Sequence, residues 1–177
     1  MDDRFEYDEL VFDGLIAKVH KVGLRMDGGE VVQRDFIHYP GAAVVLPVLE
    51  DGSIVLIRNY RFAVDDRLYE VAAGVLEEGE DPAACAAREL AEETGYTAGC
   101  IEKLGVFCST PGTTDEFLHA YLATDLKDGR QNLEAHEQIT VEVLPDRKVR
   151  AMVADGTIHD AKTIATLALY WLREDLV

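Results

Sequence analysis

Between Gly74 and Tyr96 the chain reads GVLEEGEDPAACAARELAEETGY. This segment dictates one helix with one acidic face. Asp81 suits the N-cap, and Pro82 suits the first helical position, where its missing N–H is not needed. The alanine-rich run to Leu90 favours helix, and Gly95 supplies the stop. On that helix Glu89, Glu92 and Glu93 are related by i, i+3 and i+4 and share one face. Carboxylates so placed repel one another unless a cation sits among them. A hard divalent cation with oxygen ligands, Mg²⁺ or Mn²⁺, is the natural partner. A solvated acidic face is the alternative that composition allows, since 34 Asp and Glu stand against 17 Lys and Arg.

The spacing is fuller than an acidic face requires. Gly74, Glu80, Arg88, Glu89, Leu90, Glu92, Glu93, Gly95 and Tyr96 match, position by position, the signature of the Nudix hydrolase superfamily. Tyr96 stands where that family more often has an aliphatic residue. The resemblance implies an α/β fold, an α/β/α sandwich with a mixed β-sheet. It covers about Tyr39 to Trp171 and leaves a small N-terminal β unit ahead of it. Residues 1–38 are therefore expected to form that unit and to dimerise the chain, and residues 39–177 to form the hydrolase domain. Hydrolysis of a nucleoside diphosphate linked to another group is the activity implied, with metal ions neutralising the diphosphate and activating a water.

Outside this segment the chain is similar to the ADP-ribose pyrophosphatases of that superfamily. STPGTTDEFLHAYLA, Ser109 to Ala123, resembles their Ser-Pro-Gly segment followed by an acidic pair. Arg58-Asn59-Tyr60-Arg61 resembles their Arg-Gln-Tyr-Arg, and Glu70-Val71-Ala72-Ala73-Gly74 their Glu-Leu-Pro-Ala-Gly. GTIHDAKTIATLALYWL resembles the closing helix. These likenesses imply metal-dependent cleavage of the pyrophosphate bond of ADP-ribose or a related nucleoside diphosphate sugar, giving AMP or another NMP and a sugar phosphate. A preference for GDP-mannose is the nearer alternative, with capped RNA or a dinucleotide such as NADH behind it. A module that binds ADP-ribose without cleaving it is the alternative of another class. Such a module could lose its glutamates freely, whereas this chain keeps them all.

The resemblance also assigns roles. Glu89 and Glu93 would be the principal metal ligands, joined by the backbone carbonyl of Ala73, with Glu92 beside them as a further catalytic carboxylate. Two or three Mg²⁺ or Mn²⁺ ions would serve each site with substrate. Glu80 and Arg88 would pair to hold loop and helix together. Arg61, with Arg58, would meet the diphosphate or terminal ribose through a planar, permanently charged fork. Glu70 would bind sugar or base, and Pro111, Gly112 and Glu116 would lie on the substrate side, Glu116 also supporting the metal site. The general base would come from the loop Asn132 to Gln138. Glu137 aligns with a metal-associated glutamate, and Ala135 falls where relatives place the catalytic one. Glu137 is favoured as base, with Glu134 and His136 the alternatives.

The rest of the chain reads as strands, then helices. The first forty residues alternate, with MDGGE as a turn. Gly41 to Val48 and Ser53 to Arg58 are apolar runs expected to form a hairpin through Glu50-Asp51-Gly52. Tyr69 to Ala72, Ile101 to Ser109, Glu116 to Ala123 and Ile139 to Leu144 follow as strands. Arg147 to Ala154 and Ala161 to Leu172 are the closing helices, the second capped by Asp160. Its Ile164, Leu167, Ala168 and Trp171 recur at helical spacing and are expected to pack the core.

At 177 residues the chain suits one domain with a sizeable core. It has no apolar run of membrane-spanning length and no basic, apolar leader at MDDRFEYDEL. Three cysteines without metal-ligand spacing suggest reduced, mostly buried thiols in a cytoplasmic protein. A net charge of −17 argues against nucleic acid as a partner. The expected partners are a small nucleotide sugar and a second copy of the chain.

Overall fold

The computed structural model describes residues 5–135 and 137–174. The chain divides into two compact units. One comprises the residues up to Gly41 with Cys108–Phe117, the other Ala42–Phe107 with the residues from Leu118 on.

In the first unit β1 (Phe5–Asp13), β2 (Lys18–Arg25) and β3 (Val31–His38) form an antiparallel sheet in that order. The MDGGE segment makes the second turn: Gly29, at φ 85°, donates its N–H to the Met26 carbonyl at 2.8 Å. Residues 113–115 fasten to the end of β3. Ile37 N–H reaches the Thr113 carbonyl at 2.8 Å, and Asp115 takes both Tyr39 N–H at 3.0 Å and the His38 ring at 2.6 Å.

The second unit contains β4 (Ala42–Pro47), β5 (Ser53–Arg61), β6 (Asp66–Glu70), β7 (Ala72–Val75), β8 (Thr97–Cys108), β9 (Phe117–Lys127) and β10 (Ile139–Pro145). Its helices are α1 (Pro82–Glu89), continued by a π turn over Leu90–Thr94, α2 (Asp146–Ala154) and α3 (Ala161–Glu174). β4 is buried along its whole length, as a central strand must be. It lies between antiparallel β7 and parallel β9 in the four-stranded sheet β7-β4-β9-β8. Because side chains alternate across a strand, β4 serves two cores. Val44 and Leu46 pack with Val149 and Met152 of α2 and Leu167 of α3. Ala43 and Val45 pack with Cys85 and Ala86 of α1 and with Leu90. Helices therefore cover both faces of a mixed sheet, the α/β/α arrangement.

Two strand expectations are corrected. β4 and β5 do not pair as a hairpin. Gly52 makes the turn, at φ 79° with its N–H on the Leu49 carbonyl at 2.9 Å, but β5 joins β10 and β6 in a separate antiparallel sheet. A β4 buried on both faces takes β7 and β9 as its neighbours, and only a bridge from Val48 to Ile54 remains beside it. Nor is Tyr69 to Ala72 one strand. β6 ends at Glu70 on β5, and β7 begins at Ala72 on β4. Between them Val71 gives its N–H to the Thr163 hydroxyl at 2.9 Å.

The cysteines differ too: Cys85 is buried, Cys100 half-buried and Cys108 exposed, all free. Among the described residues no helix is long and apolar enough to cross a membrane.

Candidate active site

Asp81 sits in extended backbone before α1, with proline at the start of the helix, and Gly95 closes the π turn in the left-handed region at φ 80°. Replacing α by π winding over Leu90–Thr94 is a local feature that often marks functional sites. Glu89 and Glu93 are both buried, while Glu92 stays partly exposed.

The acidic turn is pressed against the β7 backbone. Ala73 donates its N–H to Glu93 Oε2 at 2.8 Å. A Cβ on Gly74 would lie 1.8 Å from Glu89 Oε1, so glycine is required there for the carboxylate to reach the strand. Arg88 ties the surroundings. Its guanidinium donates to both oxygens of Glu80 at 3.1 Å, to Glu89 Oε1 at 2.5 Å and to Glu92 Oε2 at 3.1 Å. The Arg88 bonds hold the Glu80 carboxyl down to about 2, and the expected loop–helix pair is present.

Among the described residues no three His, Cys, Asp or Glu side chains enclose a cation as they stand. Arg88 holds an oxygen of Glu89, Ala73 one of Glu93, and the Glu134 N–H one of Glu137 at 2.8 Å. The donor set nevertheless fits a hard cation. Hard carboxylate oxygens meet a backbone cradle that a Cβ would fill, and their charges oppose one another. Burial pushes the Glu93 carboxyl up to about 8, with Glu89 and Glu137 adding to the rise against the Ala73 N–H and the charge of Arg61. Burial also raises Glu89, where Glu92 and Glu137 add to the effect against Arg88.

A stability prediction follows from Glu93. Its folded pKa of about 8 lies above its ordinary 4.5, so between those values the folded chain holds a proton that the unfolded chain releases. Its contribution to stability is present at low pH and is lost as pH rises through that window. Metal-free protein should therefore melt at falling temperature from pH 5 to 8, and Mg²⁺ should recover most at the alkaline end. A melting temperature independent of Mg²⁺ at pH 8 would contradict this assignment.

Sequence-chosen residues reach the site to different degrees. The loop before β10 is fastened to the acidic turn: Asn132 N–H reaches the Glu92 carbonyl at 2.9 Å, and Gln131 Nε2 the Glu93 carbonyl at 2.6 Å. Glu137 thus comes within electrostatic reach of Glu89 and Glu93. Glu134 and Ala135 are exposed, and His136 lies outside the described residues.

Arg61 and Glu70 meet as a bidentate pair at 2.7 and 2.6 Å, and Glu70 is completely buried. Arg58 does not join them. Three residues from Arg61 on a strand, it faces the other side of the sheet, where its guanidinium stacks 4.3 Å over Tyr69 and donates to the Arg67 carbonyl at 3.0 Å. Pro111, Gly112 and Glu116 belong to the first unit. There Pro111 and Gly112, with Val22, Phe36 and Phe117, line a cavity of about 390 Å³.

Sequence reading missed Gln131 as the loop's anchor. It also missed Lys162, whose Nζ lies on Glu70 Oε2 and, at 2.9 Å, on Asp160 Oδ2. The available signal was a lysine inside the segment HDAKT, two places after the helix cap Asp160.

The NUDIX domain family model matches residues 38–167. An ADP-ribose pyrophosphatase from Bacillus subtilis is 34% identical over 95% of this chain and 92% of its own length. A GDP-mannose pyrophosphatase from Cronobacter sakazakii is 33% identical over 93% and 95% respectively. In three dimensions the chain is similar to an ADP compounds hydrolase, with a TM-score of 0.82 at 22% identity, covering 97% of this chain and 94% of that one.

Proposed function

This chain belongs to the Nudix family, and from that premise we propose that it is a metal-dependent pyrophosphatase of ADP-ribose or a related nucleoside diphosphate sugar. Water adds to one phosphorus and the bridging P–O bond breaks, giving a nucleoside monophosphate and a sugar phosphate. The observation that carries the reading is the turn bearing buried Glu89 and Glu93 against the Ala73–Gly74 backbone. Such a turn is suited to divalent metal, Mg²⁺ or Mn²⁺, held by Glu89, Glu93 and Glu137 with the Ala73 carbonyl. Bound there, the metal would neutralise the diphosphate and lower the pKa of the attacking water.

The chain's own residues supply the remainder. Arg88 fixes the orientation of Glu89, and Glu137 stands near both buried carboxylates to accept the proton of water. Arg61, oriented by Glu70, offers its exposed edge to a phosphate oxygen. Pro111, Gly112 and Glu116 are assigned to the substrate side by resemblance. Three free thiols suit a reducing compartment, the cytoplasm.

A substrate panel tests the activity: ADP-ribose, GDP-mannose, UDP-glucose, NADH and diadenosine polyphosphates, each with Mg²⁺ and with Mn²⁺. Hydrolysis of ADP-ribose or a nucleotide sugar to monophosphates supports the reading. Failure on every member overturns it, and tight binding without turnover would favour the ADP-ribose-binding module.

The first unit is assigned to homodimerisation, with residues 1–38 as its main segment. In it Phe12 is 61% exposed, Leu15 fully exposed and Ile16 53% exposed, an apolar stretch that a monomer would leave in water. Removing Met1 to Ile37 should give a monomer or an insoluble chain by light scattering. A truncated chain that stays soluble, dimeric and fully active would rule this assignment out.

A further inference from the structure

Lys162 is a half-buried cation to which the reading above gives no part. It is the second residue of α3, and its side chain is 16% exposed. Its Nζ shares Glu70 Oε2 with Arg61. The Glu70 side chain is 1% exposed, so its charge is held almost entirely by these two cations. Holding α3 in place does not by itself call for a lysine. Asp160 caps the helix by taking the Thr163 N–H at 3.0 Å and the Thr163 hydroxyl at 2.6 Å. That hydroxyl in turn accepts the Val71 N–H and joins α3 to the β6–β7 crossing.

Charge counting points to a different use. Glu70 and Arg61 alone would be neutral, with the carboxylate gripping two of the guanidinium's nitrogens at 2.7 and 2.6 Å. An arginine so neutralised attracts an anion weakly. With Lys162 the buried carboxylate faces two cations, and the ion pair of Lys162 with Asp160 makes the four groups neutral together, where loss of Lys162 would leave them one net negative. Asp160, about as exposed as Lys162, is stabilised by the N-terminus of α3 as well as by Lys162. Arg61 keeps a side chain 42% exposed, fixed in direction by Glu70. β5, which ends at Arg61, packs against the acidic π turn, and the charges of Arg61 and Glu93 act on each other. A charged edge there adjoins the place where a diphosphate would be cleaved.

We propose that Lys162 is a positioning residue for the anionic substrate: by sharing the buried Glu70 carboxylate, it takes up charge that would otherwise fall on Arg61 alone and leaves Arg61 a fixed edge for a diphosphate oxygen. The identity of the anion rests on the pyrophosphatase reading; the charge relation does not.

The test uses the full chain, Mg²⁺ and methylenediphosphonate, a diphosphate analogue whose P–C–P bridge is not hydrolysed, with binding measured by calorimetry. Lys162→Met should weaken binding on the order of tenfold, and Lys162→Arg should stay within about threefold of wild type. In turnover, Lys162→Met should raise KM with kcat within about threefold of wild type, because the interaction is made in ground and transition states alike. The decisive variant removes both charges. In a Glu70→Gln background Lys162→Met should change analogue affinity by less than about twofold, since Lys162 acts only through Glu70. This comparison also serves if Lys162→Met alone, which leaves a buried carboxylate with one cation fewer, does not fold.

Unchanged affinity in folded Lys162→Met, or an equal loss with and without Glu70, overturns the proposal. So does a fall in kcat at constant KM. If wild type cleaves none of the panel but the analogue still binds with this dependence on Lys162, the pyrophosphatase reading fails and the role of Lys162 stands.

Discussion

Glu93→Gln should lower turnover about 10³-fold in saturating Mg²⁺, because a metal ligand supports several kcal/mol of transition-state stabilisation. Shape is not the cause. Glutamine can still accept the Ala73 N–H that Glu93 takes at 2.8 Å. What disappears is a buried negative charge whose pKa burial has pushed up to about 8. The same change should therefore raise the melting temperature of metal-free protein at pH 8 and flatten its decline between pH 5 and 8. Activity falls while metal-free stability rises, a pairing that a misfolded variant would not show. Chelation of wild type should abolish activity reversibly. Turnover of the variant within threefold of wild type would remove Glu93 from the metal site.

Glu137→Gln should lower kcat by roughly 10²–10⁴-fold with little change in KM, the signature of a group acting mainly in the transition state. Glu134→Gln should be much milder. The contrast rests on placement. Glu137 acts electrostatically on both Glu89 and Glu93, whereas Glu134 is exposed and gives its backbone N–H to the Glu137 carboxylate at 2.8 Å. Glutamine at 137 keeps an oxygen for that N–H, so the loop should hold its form. If Glu134→Gln is instead the damaging change, and Ala135→Glu restores rate in that background, Glu134 is the base and the loop assignment moves. If neither change matters, the proton is taken elsewhere.

Much of the acidic turn was legible in the chain because its determinants are local. Pro82 and Gly95 set where the helix begins and stops, with Asp81 at the N-cap position making no side-chain capping bond, and the spacing of Glu89, Glu92 and Glu93 sets their shared face. The pairing of Glu80 with Arg88 was legible for the same reason, being carried by one short segment. The π turn was not, because it depends on how the last residues of that segment fit the strand and loop packed on them. Arg58 shows the opposite limit. Resemblance grouped it with Arg61, yet the alternation of a strand places the two on opposite faces.

That Gly74 must be glycine came from Glu89 packed on β7, but the acidic helix, the family signature and the class of reaction that such a cluster serves were legible in the chain alone. Local spacing and short-range charge suffice for those. It took the folded chain to show that β4 leaves its hairpin partner, that the chain crosses between sheets at Val71, and that Glu70 lies buried between Arg61 and Lys162. The residues of that charge group lie on β5, β6 and α3, as much as 101 positions apart in a chain of 177. No local propensity relates positions so distant. Burial does, because a carboxylate removed from water must find its cations wherever the fold brings them.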